Sequence, residues 1–128
     1  MPSNWRPVPG FDRYYEVSDE GEVRSLDRTV AHGKHGFTTY RGRVLKARPT
    51  KGGYLLVALS YGTKRRAIYV HHLVLLAFVG PRPPAEGRSE IRHLNGDKRD
   101  NRLTNLAYGS AKENAADRRL HAEQRRTA

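Results

Sequence analysis

Apolar residues recur along this chain in short alternating runs before residue 70 and as one nearly continuous block just after it. Tyr15 and Val17 alternate with polar neighbours, Ser18-Asp19-Glu20-Gly21 supplies a turn, and Val23 to Leu26 return as a second short strand. His32 to Gly36 reads as an exposed loop. Further strands are predicted at Arg43–Lys46, Tyr54–Ser60 and Ala67–Val70. Turns at Gly52-Gly53 and at Tyr61-Gly62-Thr63-Lys64 would join these three into an antiparallel meander. From His71 to Val79 the spacing of Leu73, Val74, Leu76, Ala77 and Phe78 predicts a short buried helix. Gly80-Pro81 stops it, and a loop runs from Pro81 to Gly87.

The last third changes character. Glu90 to Leu94 is predicted as a strand, Asn95-Gly96-Asp97 as a polar turn, and Asp100 to Asn105 as a loop anchored by Leu103. Leu106 to Tyr108 follows as a second strand. Ser110 and Glu113 have the spacing of a capping box, so a helix is expected from about Ala111 to Leu120, with a frayed tail after it. The whole reads as an α+β protein: a small N-terminal antiparallel sheet, then a β–loop–β–helix unit.

Length and charge sharpen this picture. A chain of 128 residues makes one small domain with at most a short appended module. Lys and Arg number 24 against 13 Asp and Glu, a formal net charge of +11. All 13 acids lie at or before Asp27 or at or after Glu86. The stretch from Arg28 to Ala85 therefore carries 11 basic residues and no acid, interleaved with Tyr, Val, Leu and Ile at strand-like spacing. An ordered sheet with a basic exposed face fits better than a disordered arm, and a polyanion is the expected partner. There are no cysteines, which excludes a disulfide framework, thiolate zinc and a cysteine nucleophile. The longest apolar run, Leu73 to Val79, is far shorter than the roughly 20 residues a membrane span needs, so no membrane association is expected. The N-terminus has no charged-then-apolar signal pattern, and a cytoplasmic setting is expected.

Within the β–loop–β–helix unit, a hairpin followed by a helix lets three distant side chains converge: His93, Asn105 and Asn114. An imidazole can take a proton from water near neutral pH, and an amide oxygen suits Mg²⁺, which keeps several waters and binds substrate phosphate. That combination can cut a phosphodiester. The adjacent pair His71-His72 suggests a metal site, but neighbouring helical residues diverge by about 100°, so the two cannot easily share one ion. For contact with the phosphate backbone of a polyanion the candidates are Arg41, Arg43, Lys46 and Arg48 on one predicted strand face. Lys64, Arg65 and Arg66 at a hairpin tip join them, with Lys98, Arg99, Arg118 and Arg119. Such contacts position a protein without reading sequence.

Residues 70–116 resemble the HNH, or ββα-metal (His-Me finger), nucleases, in the branch of phage and intron homing endonucleases. The resemblance lies in VHHLVLLAF (70–78), IRHLNGDKRDNRLTNL (91–106) and SAKEN (110–114). Residues 5–28 resemble the short nuclease-associated motif that precedes many such domains, on Trp5, Pro9, Gly10, Phe11, Tyr15, Val17, Ser18, Gly21, Val23, Arg24 and Ser25. The resemblance implies four segments: the motif (1–28), a basic sheet (29–69), the ββα-metal finger (70–121) and a tail (122–128). It implies a DNA endonuclease that uses Mg²⁺, Mn²⁺ or another divalent metal, leaves a 5′-phosphate, and acts on double-stranded DNA as a monomer or weak dimer of bacteriophage origin.

Carried over by motif, His93 is the general base and a candidate metal contact, Asn105 holds the loop and orients the imidazole, and Asn114 is the metal ligand. His71 and Asn101 are supporting residues. One position departs from the pattern: many relatives place a second metal ligand just before the histidine, and here Arg92 stands there. A guanidinium cannot bind a cation, so Arg92 would instead clamp the scissile phosphate. No C-terminal DNA-reading helix follows Leu120, so nicking with low sequence specificity is expected. The alternative is a finger that lost catalysis at Arg92 and serves as a DNA-binding accessory, for example among phage packaging proteins.

Overall fold

The computed structural model describes residues 3–11, 13–61, 63–82, 89–110, 116, 117, 119, 120 and 122. The N-terminal unit is a three-stranded antiparallel sheet of β1 (Trp5–Pro7), β2 (Tyr15–Ser18) and β3 (Val23–Ser25), in that order. Tyr15 and Val17 point inward and Val23 pairs with Val17, as the alternation requires. The turn between β2 and β3 closes on the Ser18 hydroxyl, which accepts the amides of Glu20 and Glu22, with Gly21 at φ +87°. Trp5 does not enter the core; its ring is covered by the Arg24 guanidinium at 3.9 Å, and Glu16 fixes that arginine by an ion pair of 2.6 Å.

The basic middle of the chain departs from its sequence reading in two places. Residues 28–40 form a two-stranded ribbon, β4 (Arg28–Ala31) and β5 (Phe37–Tyr40), joined by a single 3₁₀ turn at Gly33–His35. Each of the eight strand residues is exposed. The strand expected at Arg43–Lys46 is not formed. Its only ladder contact is a lone bridge of Val44 to Arg24, because Gly42 is wedged against Ser25, where even a Cβ would sit 2.2 Å from the carbonyl oxygen. Arg41, Arg43, Lys46 and Arg48 are all exposed but share no strand face. The meander itself is present, with its first strand displaced to β6 (Arg48–Pro49), then β7 (Leu55–Tyr61) and β8 (Lys64–Tyr69).

Helix α1 (Val70–Phe78) follows β8 without a linker. Val70, Leu73, Val74 and Leu75 are buried, and with Val8, Val17, Val57, Leu59, Ile91 and Leu106 they form one core shared by every sheet but the exposed ribbon; His71 is buried as well. The helix ends where the amides of Val79 and Gly80 both reach the Leu75 carbonyl, Gly80 having φ +126°. The Tyr108 hydroxyl donates to the Gly80 carbonyl at 2.8 Å and ties that end to the final hairpin. This hairpin is β9 (Ser89–His93) against β10 (Leu106–Ser110), with His93 opposite Leu106. Helical backbone follows at residues 116, 117, 119, 120 and 122, while the expected cap and first turn lie outside the described residues.

The N-terminal unit braces the loop between β9 and β10. The Leu103 amide donates to the Asp19 carbonyl at 2.8 Å, and a Cβ on Gly21 would lie 2.9 Å from the Asn101 carbonyl oxygen. Gly21→Ala should therefore cost about 1–3 kcal/mol from its left-handed backbone alone and also displace Asn101. Gly33→Ala, at φ +61° with nothing within 4 Å, is the control. Denaturant melts should show both variants weakened, Gly21→Ala the more of the two because it also meets Asn101.

Candidate active site

His93 ends β9 on the inward face, two residues after buried Ile91, and Arg92 between them points to the other side. The ring is 7% exposed. Its Nε2 lies 2.9 Å from Oδ1 of Asn101, itself 3% exposed. A carbonyl oxygen only accepts, so Nε2 carries the proton and Nδ1 keeps its lone pair. Nδ1 makes no hydrogen bond to a described residue. Burial pushes the His93 pKa below its ordinary value, opposed by the Asn101 bond and by the charges of Asp100 and Asp97. The imidazole is thus neutral at neutral pH with a base nitrogen available.

The loop from His93 to Asn105 is fastened by short polar side chains. Asn105 Oδ1 accepts the Asn95 amide at 2.9 Å, and its Nδ2 donates to Asn95 Oδ1 and to the Asp100 carbonyl. Asn95 Nδ2 donates to the Asp100 carboxylate at 2.7 Å, and Asp97 caps the Arg99 amide. Arg102 grips Asp100 with two bonds of 2.8 Å and holds its pKa down to about 2. Asn105 bonds loop residues and not the imidazole; the ring itself is held by Asn101, where orientation by Asn105 was expected.

Rings pack round the imidazole from two other elements. His71 of α1 meets His93 edge-on at 5.1 Å, Tyr69 stacks on His71 at 5.1 Å, and Tyr54 stands 5.8 Å from His93. Lys98 covers the outer face of Tyr54 at 5.0 Å and donates to the Gly52 carbonyl, so it is occupied. His71 is held neutral, its pKa lowered to about 3 by burial and then by the charges of His93, His72 and Arg82. His72 makes no ring contact with this cluster among the described residues and acts on His71 only through its charge.

Arg92 lies flat across β10, where Ala107 and Gly109 leave room for its stem. Its Nε and Nη2 donate to the Asp117 carboxylate at 2.7 and 3.0 Å. The structure therefore sets it on the far side of the strand from His93, pinning the helical segment that carries Asp117 to the hairpin.

Known proteins are similar to this chain in sequence and fold. Residues 4–60 match the NUMOD4 motif and residues 68–116 match the HNH endonuclease family. DNA endonuclease I-HmuI of Bacillus phage SP01 is 31% identical over 113 residues, 86% of this chain and 54% of that protein. The HNH endonuclease family is thus the one this chain resembles across α1 and the β9–β10 hairpin. An uncharacterized HNH endonuclease, L247 of Acanthamoeba polyphaga mimivirus, is also 31% identical over 86% of the chain, and the chain spans only 24% of it. The solved structure described as DNA binding and cleavage by the HNH homing endonuclease I-HmuI superposes with a TM-score of 0.70 at 28% identity, covering 93% of this chain and 59% of that one.

Of the residues the HNH motif singled out, His93, Asn101, Asn105 and His71 are brought together, while Arg92 is not. Asn114 and Arg118 lie outside the described residues. Among the described residues no three His, Asp or Glu side chains are grouped to cage a metal, and Arg92 donates where a ligand would accept. This donor set fits only a hydrated ion held by few protein atoms, of the kind Mg²⁺ tolerates. Motif reasoning did not find Tyr54, Tyr69 or Asp117, which no local motif marks.

Proposed function

We propose that this chain hydrolyses phosphodiester bonds in double-stranded DNA with a divalent metal, nicking one strand with low sequence specificity. The observation that carries this reading is His93, buried and neutral, its Nε2–H committed to Asn101 and its Nδ1 lone pair left over. One lone pair serves one role, and we assign it to proton abstraction and not to metal binding. Nδ1 takes a proton from water; the resulting hydroxide oxygen attacks phosphorus; the P–O3′ bond breaks, leaving a 3′-hydroxyl after protonation and a 5′-phosphate. Asn101 orients the ring and Asn105 keeps the loop closed beneath it. Asn114, with waters and phosphate oxygens, would hold the ion, which supplies charge stabilisation on the phosphate and the leaving oxygen. The acid-free basic stretch from Arg28 to Ala85 supplies the attraction to the backbone. The phage relative, a DNA endonuclease, points to the same substrate.

The same reading places the protein with DNA in the cytoplasm of a phage's host; among the described residues no helix is long and apolar enough to cross a membrane. One site per chain nicks, and a double-strand break takes two events or a dimer. A second reading, an inactive DNA-binding accessory, is favoured by Arg92 being tied to Asp117 where a metal ligand would stand. Supercoiled plasmid separates the two. The endonuclease reading expects conversion to nicked circle in Mg²⁺ or Mn²⁺ that EDTA abolishes; DNA retention with no nicking at any metal concentration would leave the accessory reading.

A further inference from the structure

We propose that a cleft of arginines at the far end of β7 is a distal anchor for the DNA backbone, a second phosphate site that fixes how long a duplex the enzyme grips; this rests on the reading that DNA is the substrate. The cleft has a volume of about 470 Å³, and Arg28, Arg41, Arg43 and Arg65 converge on it. None of its lining residues is acidic. Arg28 rests on the Tyr40 ring at 5.2 Å, and Arg41 makes only a long, exposed pair of 3.6 Å with Asp27. The guanidinium groups of Arg43 and Arg65 make no ion pair or hydrogen bond with a described residue. Four like charges round one concavity are unfavourable until an anion enters, and guanidinium groups match phosphate oxygens in geometry.

The placement of the cleft relative to His93 follows from strand periodicity. Tyr54, Leu56, Ala58 and Ser60 alternate onto one face of the sheet, and their partners Tyr69, Ala67 and Arg65 on β8 share it. Tyr54 and Tyr69 at one end pack round His71 and His93. Ser60 and Arg65 at the other end line the cleft, fixed by the Ser60 amide donating to the Tyr15 hydroxyl at 2.8 Å. Between them the face carries Ala58 and Ala67, small side chains that leave it low. Six strand steps separate the ends, about 20 Å, which is about six base pairs of duplex. Lys64 and Arg66 alternate away from this face and do not belong to the anchor.

The test uses the full chain and fluorescently labelled DNA hairpins with stems of about five and about twelve base pairs, bound in EDTA so that none is cut. Arg43→Ala with Arg65→Ala should weaken binding of the long stem about tenfold and lower its salt slope by 1 to 2, leaving the short stem within about twofold. Arg6→Ala with Arg13→Ala removes the same charge from exposed positions outside both the cleft and the acid-free basic stretch, and should change neither. Equal losses on both stems, no loss on either, or an equal loss in this control variant would overturn the anchor. Failure of the endonuclease reading shows separately: length-dependent binding that persists while no stem is cut in Mg²⁺ keeps the anchor and removes hydrolysis.

Discussion

His93→Ala should slow DNA nicking about 10²- to 10⁴-fold, the usual contribution of a positioned general base, equivalent to about 2.7–5.5 kcal/mol of barrier. Duplex affinity should hardly change, because the ring is buried at 7% exposure and the cationic residues that meet phosphate lie elsewhere. Single-turnover nicking and anisotropy on the same preparation separate the two effects, and added imidazole should restore part of the rate to the cavity variant. The partner residue sharpens the assignment. Asn101→Asp keeps an acceptor for Nε2–H but adds a negative charge 2.9 Å away, which favours the imidazolium. The acid limb of its rate profile should then move to higher pH than that of the parent, whose own limb should lie below the ordinary histidine range because burial lowers the His93 pKa. A His93→Ala protein that nicks at the parental rate removes the mechanism.

What could be read from the chain and what could not divides along contact range. Helix α1 was legible because its apolar block ends at Gly80-Pro81, and the β2–β3 turn because Ser18 and Gly21 carry the chemistry of a turn. The last hairpin was legible from Ile91 and His93 alternating with Arg92 and Leu94. The β4–β5 ribbon was not, since both its faces are exposed and Val30, Thr38 and Phe37 leave no buried side for a pattern to mark. The basic residues Arg41, Arg43, Lys46 and Arg48 suggested a strand face, but the segment is held by Gly42 fitting against Ser25, a tertiary contact that no local spacing encodes. The site divides in the same way. His93 and Asn105 stand out within one motif, whereas Asn101 bonding the ring depends on how the loop folds back. The Arg92–Asp117 pair and the His71–His93 contact join separate elements.

That last contact sets the expected pH dependence of stability. His71 is 9% exposed, its Nδ1 has no hydrogen-bond partner among the described residues, and its pKa is lowered from 6.5 to about 3. The unfolded chain takes up a proton at this residue near pH 6.5 while the folded chain does not, so the unfolded state gains on acidification. Stability present above pH 6.5 is therefore lost as pH falls, at up to about 1.4 kcal/mol per pH unit for this group, down to about pH 3 where the folded state protonates too. His93 acts in the same direction, whereas Asp100, held at about 2, stays ionised over the upper part of that range and adds nothing there. Urea unfolding between pH 7 and about 4.5 should show the parent losing several kcal/mol, with His71→Phe recovering roughly 2–3 kcal/mol of that loss. Phenylalanine preserves the stack on Tyr69 and the edge contact with His93 and has no ring nitrogen to protonate. An unchanged slope in His71→Phe would mean that the ring cluster takes up protons without unfolding, and that the imidazole beside His93 is charged in the folded protein.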